Sequence, residues 1–261
     1  MKIGIIGMGV VGKTLYKAFK KLKHNCLGID LKNKYQILKL IDCEIIYVCL
    51  PTNQLKKKLD TGEIEKYLKI FDKVKFKGII AIKSTLNPGD TEKFSRKYKM
   101  LKNNICFVPE FLRERCALKD FTKNHDLLLI GTNKNKNIKK IIKSHGSYPQ
   151  KISIVKPTEA ELIKMFSNAY NATRIVFANS FFEVCKKLKI NYSNILKEYL
   201  KRSMSTGKYL ECDDNLRGFG GKCLPKDLAA LDFVAQKRSS KIKFFKDVIK
   251  QNNNFKETIK K

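Results

Sequence analysis

The sequence predicts an α/β protein: a parallel sheet, then a long central helix, then a small helical region. Three observations carry that expectation. Short apolar runs recur through residues 1–155 without the in-out alternation of a half-exposed strand, and helical or polar segments separate them. That is the pattern of parallel strands buried on both faces. A glycine-rich turn follows the first run directly. From Thr158 to Leu188 there is neither Gly nor Pro, and apolar residues keep helical spacing (Leu162, Phe166, Ala169, Tyr170, Val176, Phe177, Val184), which makes one helix of roughly thirty residues.

The elements follow in order. Residues 2–6 (KIGII) form a strand that stops at Gly7, and Leu15, Ala18, Phe19 and Leu22 then mark one face of a helix. Cys26 to Ile29 is a second strand ending at Asp30. Residues 45–50 (IIYVCL) are a third, closed by Pro51-Thr52-Asn53. Residues 79–82 are a fourth, followed by Ser84, Thr85, Pro88 and Gly89; residues 105–108 and 127–130 are the fifth and sixth. Pro157-Thr158-x-x-Glu161 reads as a capping box, with Thr158 and Glu161 satisfying the first free amides of the long helix. Helical sequence continues to residue 212. A Gly-rich turn at 218–221 leads to Cys223, and Pro225 suits the first turn of another helix. The expected organisation is a sheet domain over 1–155, the long helix and a helical region over 156–238, and a lysine-rich helical tail over 239–261.

No run reaches eighteen apolar residues, and Gly4, Gly7, Gly9 and Gly12 interrupt the apolar N-terminus, so neither a membrane span nor a signal peptide is expected and the cytoplasm is the expected compartment. The 8 cysteines contain no C-x-x-C pair and no zinc-spaced Cys/His cluster; reduced, mostly buried thiols are expected, with no metal. Lys+Arg 55 against Asp+Glu 24 gives a charge of +31, but only 7 of the 55 are arginine, the lysines are spread along the chain, and no nucleic-acid-binding pattern is present. Compositional drift is the preferred reading over specific nucleic-acid binding, and the field favours anionic small molecules.

Gly7-Met8-Gly9-Val10-Val11-Gly12 follows a strand and opens a helix as G-x-G-x-x-G. Gly7 would make the tight turn, Gly9 would admit a pyrophosphate to the backbone, and Gly12 would let helix and strand pack. Asp30, 18 residues past Gly12, would accept from ribose hydroxyls and favour NAD over its 2′-phosphate, with Lys32 nearby weakening that preference. The same stretch also fits a P-loop, as Gly7, Gly12, Lys13 and Thr14, which would make the protein an NTPase. A P-loop needs a magnesium-holding Asp after an apolar strand, and Leu27-Gly28-Ile29-Asp30 is a poor candidate. On the loop alone both readings stand.

Four further segments together resemble the nucleotide-sugar dehydrogenases, the family of UDP-glucose and GDP-mannose dehydrogenases. They are Lys83-Ser84-Thr85 with Pro88-Gly89; Pro109-Glu110-Phe111-Leu112-Arg113-Glu114; Glu161-Leu162-Ile163-Lys164 with Asn168-Ala169; and residues 218–227, GFGGKCLPKD. The resemblance runs from residue 1 to about 255 and implies a Rossmann-type NAD domain and a four-electron oxidation of a sugar C6 alcohol to a carboxylate. By that resemblance Cys223 is the nucleophile that makes a thiohemiacetal and then a thioester, its thiolate favoured by the helix that follows and by Lys226. Lys164 and Asn168, four apart on one helix face, stabilise the oxyanion. Asp227 and Thr85 hold the water, and Glu110 assists thioester hydrolysis. Phe111, Leu112, Arg113 and Gly220 contact the sugar nucleotide; Pro51, Thr52, Thr85 and Glu114 lie along the cofactor, though a plain salt bridge is an alternative for Glu114. UDP-glucose is the expected substrate, and a homodimer through the long helix is the expected assembly.

Members of that family carry a second α/β domain for the nucleotide base beyond the Cys segment, and the 261 residues contain no match to it. Three readings follow: a compact active dehydrogenase, which a separate chain completes in one version; an NAD-binding relative without turnover; and a P-loop NTPase.

Overall fold

The computed structural model describes residues 1–30, 34–55, 58–202, 209–221, 223–238 and 242–255. In chain order they form β1 (Lys2–Ile6), α1 (Val10–Lys21), β2 (Asn25–Ile29), β3 (Ile45–Val48), β4 (Gln54–Leu55), β5 (Lys58–Leu59), α2 (Gly62–Lys73), β6 (Ile79–Ile82), α3 (Asp90–Lys97), β7 (Ile105–Phe107), α4 (Ala117–Thr122), β8 (Leu128–Gly131), α5 (Asn135–His145), β9 (Ile152–Val155), α6 (Pro157–Lys187), α7 (Tyr192–Tyr199), α8 (Leu224–Arg238) and α9 (Phe244–Asn252). The chain divides into two compact units, one of Met1–Asn53 with Asp60–Lys164 and one of 54–59 with Met165–Lys261.

The first unit is built on a seven-stranded sheet in the order β2-β1-β3-β6-β7-β8-β9. Strands β2, β1, β3, β6 and β7 are parallel. Their residues alternate between two apolar clusters: Ile3, Ile5, Ile45, Tyr47, Ile79 and Ala81 enter one, and Ile6, Ile46, Val48, Ile80 and Ile82 the other. Both faces are therefore buried, which is why the strands read as continuous apolar runs.

The sheet departs from the fully parallel expectation at β8, which runs antiparallel to β7 through the Phe107–Gly131 pair, with β9 parallel to β8. The β7–β8 connection carries one six-residue α-helix, α4, about 9 Å long at 1.5 Å per residue. That is short of the depth of a four- or five-residue strand layer, so the chain re-enters the sheet from the end at which it left. Strand β9 has no counterpart in the sequence reading. It is an edge strand with Ile152 and Ile154 half exposed, so it lacks the buried run that marks the others. The β4–β5 pair, two residues a strand with one leucine in each, is likewise too short to show a pattern in the sequence.

Helix α6 has the expected length, 31 residues, but the expected cap is corrected. Pro157 is its first residue, and Glu159 reaches back to accept from the Lys156 amide at 2.9 Å. That is the reciprocal half of a capping box set two residues earlier than the Thr158/Glu161 pair suggests, because proline is preorganised for the first helical position. Glu161 serves another helix. Its fully buried carboxylate accepts from the Gly89 amide at 2.5 Å, the Thr91 amide at 2.9 Å and the Thr91 hydroxyl at 2.6 Å, and so closes the N-terminus of α3. No local pattern reveals a partner seventy residues away.

In the second unit the rest of α6 buries Ala169, Ala172 and Val176 against Phe219, Leu228 and Val248. The glycine turn is pinned from two sides. Asn179 accepts from Arg217 Nε at 2.7 Å and the Gly218 amide at 3.1 Å; Asn252 on α9 accepts from the Phe219 amide at 2.8 Å and donates to its carbonyl at 3.0 Å. Among the described residues no helix is long and apolar enough to cross a membrane.

Burial outweighs the three hydrogen bonds on Glu161 and raises its carboxyl from an ordinary 4.5 to about 7. The folded state therefore keeps a proton that the unfolded chain has released, and stability falls as pH rises from about 4.5 to about 7, then levels. Glu161→Gln removes this dependence. Urea unfolding midpoints compared from pH 5 to 8 should show wild type losing about 2–3 kcal/mol relative to the variant across the window. Parallel curves for the two proteins would rule the assignment out.

Candidate active site

In the first unit the sheet order reverses direction between β1 and β3, the place where parallel sheets of this kind bind ligands beyond their carboxyl ends. Gly7 leaves β1 with φ +91°, and a Cβ there would lie 2.5 Å from the Cys49 carbonyl oxygen. A Cβ on Gly12 would lie 1.9 Å from the Gly7 oxygen. Both glycines are demanded by backbone packing. Gly9, at the N-cap of α1 with φ −75°, has nothing within 4 Å of a Cβ position, so packing does not explain it, whereas a ligand lying on the backbone does. Val10 and Val11 open the helix. Lys13 and Thr14 lie a turn inside it, with the Lys13 amide bonded to the Gly9 carbonyl. The loop is thus the short dinucleotide form, and the long phosphate cradle of a P-loop is not built.

Asp30 is exposed just past β2, Pro51 exposed and Thr52 buried just past β3, and Thr85 buried just past β6. These are carboxyl ends of neighbouring strands. Lys32 lies outside the described residues. The residues present therefore fit a dinucleotide with its pyrophosphate over Gly9 and its ribose toward Asp30.

The strip after β7 holds charged groups in a buried setting. Lys164, 4% exposed, donates to the Glu110 carbonyl at 2.7 Å and reaches Glu110 Oε1 at 3.3 Å; its ammonium also lies 5.5 Å from the centre of the Phe111 ring. Glu110 Oε2 is buried and meets no donor among the described residues. Leu112 packs on the sheet cluster. Arg113 is held by Asp120, which accepts from its backbone amide, Nε and Nη2 at 3.0, 3.0 and 2.8 Å, and the arginine holds that carboxyl far below its ordinary range. Glu114 is exposed and in no ion pair among the described residues. Lys83, 2% exposed, was not singled out as a site residue, although its place at the end of an apolar strand marks it.

In the second unit Cys223 is the N-cap of α8: its carbonyl accepts from the Asp227 amide at 3.1 Å. Asp227 is fully buried. It accepts from the Asn168 side-chain amide and, at 2.6 Å, from Lys226 Nζ. The cysteine, the acid, a cation and a neutral donor are thereby gathered at one helix start. Gly220 is half-buried beside it in sequence. The other seven cysteines are free thiols, and burial pushes Cys43 and Cys212 up to about 11 and Cys106 to about 12. Among the described residues no Cys/His/Asp/Glu group is placed to hold a metal.

Residues 36–145 match the model of the UDP-glucose/GDP-mannose dehydrogenase family, NAD binding domain, and residues 158–254 that of the same family's central domain. A UDP-glucose 6-dehydrogenase of Campylobacter jejuni is 31% identical over 270 aligned positions, covering 88% of this chain and 67% of that protein. One from Rickettsia prowazekii is 31% identical over 179, covering 67% of this chain and 40% of that protein. In the first curated relatives, all rickettsial, the chain spans 40 to 64% of their length. A UDP-glucose dehydrogenase structure from Pyrobaculum islandicum superposes with TM-score 0.85 at 21% identity, covering 97% of this chain and 68% of that one. At that identity the likeness speaks for the fold.

The glycines separate fold from ligand. Gly9→Ala should leave the thermal midpoint within about 2 °C, because its Cβ meets nothing, yet weaken NAD binding about tenfold or more, read by calorimetry. Gly12→Ala should lower the midpoint markedly before any ligand is added, because its Cβ meets backbone. Equal NAD affinity in Gly9→Ala and wild type would remove Gly9 from the cofactor site.

Proposed function

We propose that this chain, which belongs to the UDP-glucose/GDP-mannose dehydrogenase family, oxidises the C6 alcohol of a nucleotide sugar to the carboxylate in two NAD-dependent steps, with UDP-glucose the first choice of substrate. The observation that carries the reading is the start of α8, where Cys223 is the N-cap and Asp227, Asn168 and Lys226 are joined by hydrogen bonds.

Bound NAD supplies the hydride acceptor for each oxidation. Gly7, Gly9, Val10, Val11 and Gly12 hold its pyrophosphate, Asp30 a ribose, and Pro51, Thr52, Thr85 and Glu114 line its path. Phe111, Leu112, Arg113 and Gly220 hold the sugar nucleotide. At the aldehyde stage the Cys223 thiolate forms an S–C bond to C6, and the oxygen takes up negative charge as a thiohemiacetal. The Lys164 ammonium and the Asn168 amide stabilise that oxyanion. After the second oxidation the acyl group sits on Cys223 Sγ. Water positioned by Asp227 and Thr85 then attacks the acyl carbon, Glu110 takes its proton, and the thiolate leaves. The buried setting of Lys164 and Asp227 suits this chemistry, since charge stabilisation is larger where water is excluded.

The assembly proposed is a homodimer of the second unit's long helix. Past Met165, α6 exposes Phe166 (71%), Tyr170 (55%), Phe177 (61%) and Phe181 (40%), with Phe166 stacked on Tyr170 and Phe177 on Phe181. Two exposed stacked aromatic pairs on one helix mark an interaction surface. A second copy of the chain covers it.

Two measurements test these proposals. NADH formed from NAD and UDP-glucose should reach two per sugar and vanish in Cys223→Ser; NAD binding with no NADH from any nucleotide sugar would instead assign the chain as an NAD-binding relative that needs a partner chain. Sedimentation should give a dimer for wild type and a monomer for Phe166→Glu with Phe177→Glu, and an unchanged mass in the double variant would place the interface elsewhere.

A further inference from the structure

We propose that Lys83 is a positioning residue for Glu110, the second of two lysines that hold the Pro109-Glu110 segment and its carboxylate for the hydrolytic step. The inference rests on the function proposed above for what that carboxylate does, and on geometry for the pairing itself. Lys83 follows β6 and is 2% exposed. Among the described residues its Nζ has one hydrogen-bond partner, the Pro109 carbonyl at 3.4 Å, and it lies 5.9 Å from the centre of the Phe121 ring. The next carbonyl along, that of Glu110, is taken by Lys164 Nζ at 2.7 Å. Two consecutive peptide oxygens are thus each held by a lysine from a different element.

The carboxylate completes the argument. Lys164 engages Glu110 Oε1, while Oε2 is buried with no donor among the described residues. Lys83 has three N–H bonds and, among the described residues, one hydrogen-bond partner. Lys83, Glu110 and His125 line one cleft, and His125 Nδ1 is also buried with no hydrogen-bond partner among the described residues. Lys83, with one hydrogen-bond partner among the described residues, and Glu110, with an unpaired oxygen among them, thus line the same cleft, where a bridging water would join them. A buried ammonium with one long hydrogen bond is poorly compensated as a packing residue, and a methionine would fill the space without the desolvation. A nearby anion accounts for it.

Burial lowers the Lys83 ammonium to about 8, and Glu110 is the foremost group opposing that fall. The titratable and charged groups facing it are Cys49 beyond β3, Cys106 on β7, Glu110, Lys164 on α6, His125 beyond α4 and His145 on α5. Burial first, and the Lys83 charge second, keep both histidines neutral. Asp120 and Asp126 line the same cleft as Lys83 and Glu110, and Asp120 is taken by Arg113.

The test is reciprocal titration by carbon NMR on the full chain. The Glu110 carboxyl, assigned by its loss in Glu110→Gln, should titrate about one pH unit or more higher in Lys83→Met than in wild type, and Lys83→Arg should restore it. Where Lys83→Met fails to fold, the Lys83 Cε signal gives the same answer, because its midpoint should fall in Glu110→Gln. Coincident titrations would overturn the pairing. With NAD and UDP-glucose, Lys83→Met should release a burst of two NADH per Cys223 and then stall, with the acyl group found on Cys223 by mass spectrometry; steady turnover at the wild-type rate would also overturn the proposal. If wild type forms no NADH, the reaction reading falls while the titrations still decide the pairing.

Discussion

Glu161 sits inside the first unit with three donors on its carboxylate, and that anchorage sets the rotation of α6 about its own axis. At 100° per residue, Asn168 returns to within roughly 20° of Glu161, and Lys164 lies roughly 60° to one side. Once Glu161 faces inward, Lys164 in the same unit is committed to the inward side as well. The same arithmetic sends Phe166, Tyr170 and Phe177 roughly 140–180° round, which is where they are found exposed. Within the first unit the buried Glu161 carboxylate thus turns Lys164 toward Glu110. It also fixes the end of the Thr85 loop, since Gly89 and Thr91 are its donors.

Two of the buried charges, Lys164 and Asp227, are ion-paired within their own unit, whereas among the described residues Lys83 and Glu161 are held by neutral groups alone. Lys164 has Glu110, and Asp227 has Lys226 and Asn168. The pairings are incomplete on the side where chemistry is proposed: among the described residues Glu110 keeps an oxygen without a donor. A fully satisfied network would be a structural core with nothing left to give a substrate, whereas a wholly unpaired one would neutralise itself by shifting protons. The observed state lies between, and that is what a site that must hold an oxyanion and move a proton needs.

What the sequence made legible follows from how locally each feature is encoded. The parallel strands were readable because both of their faces are buried, and the glycine loop because Gly7 and Gly12 answer to backbone contacts within a few residues or one strand away. Cys223, Lys164 and Glu110 are singled out by the resemblance alone, since no local pattern marks them. Strand β9 was not, because an edge strand with exposed isoleucines has neither a buried run nor a turn signal, and the reversal at β8 depends on a connection's length. Glu161 shows the limit most clearly. Thr158-x-x-Glu161 satisfies a local capping rule, yet the carboxylate found a better partner seventy residues away, and Glu159 took the local role. Asn179 and Asn252, which hold the turn before Cys223, escaped for the same reason: their partners are 33 to 39 residues distant.

The cysteines turn the proposal for Cys223 into a physical argument. A thiol is useful to this reaction only as a thiolate, so a nucleophile must be reachable by the sugar and able to ionise near neutral pH. Burial denies both to Cys43, Cys106 and Cys212, raised to about 11, 12 and 11; Cys49 is half-buried, and desolvation of its thiol raises it further. Cys26 is buried and raised in the same way, and Cys116 is raised by burial and by its contact with Asp120. Cys185 is packed against Tyr192 and Cys212 in a small apolar cluster. Cys223 is half-buried and caps a helix whose first turn carries Lys226, a setting that favours an anion. The chain therefore keeps its other thiols protonated or enclosed while placing one where the proposed chemistry requires it, and this division of environments is the strongest support, beyond resemblance, for a covalent route through Cys223.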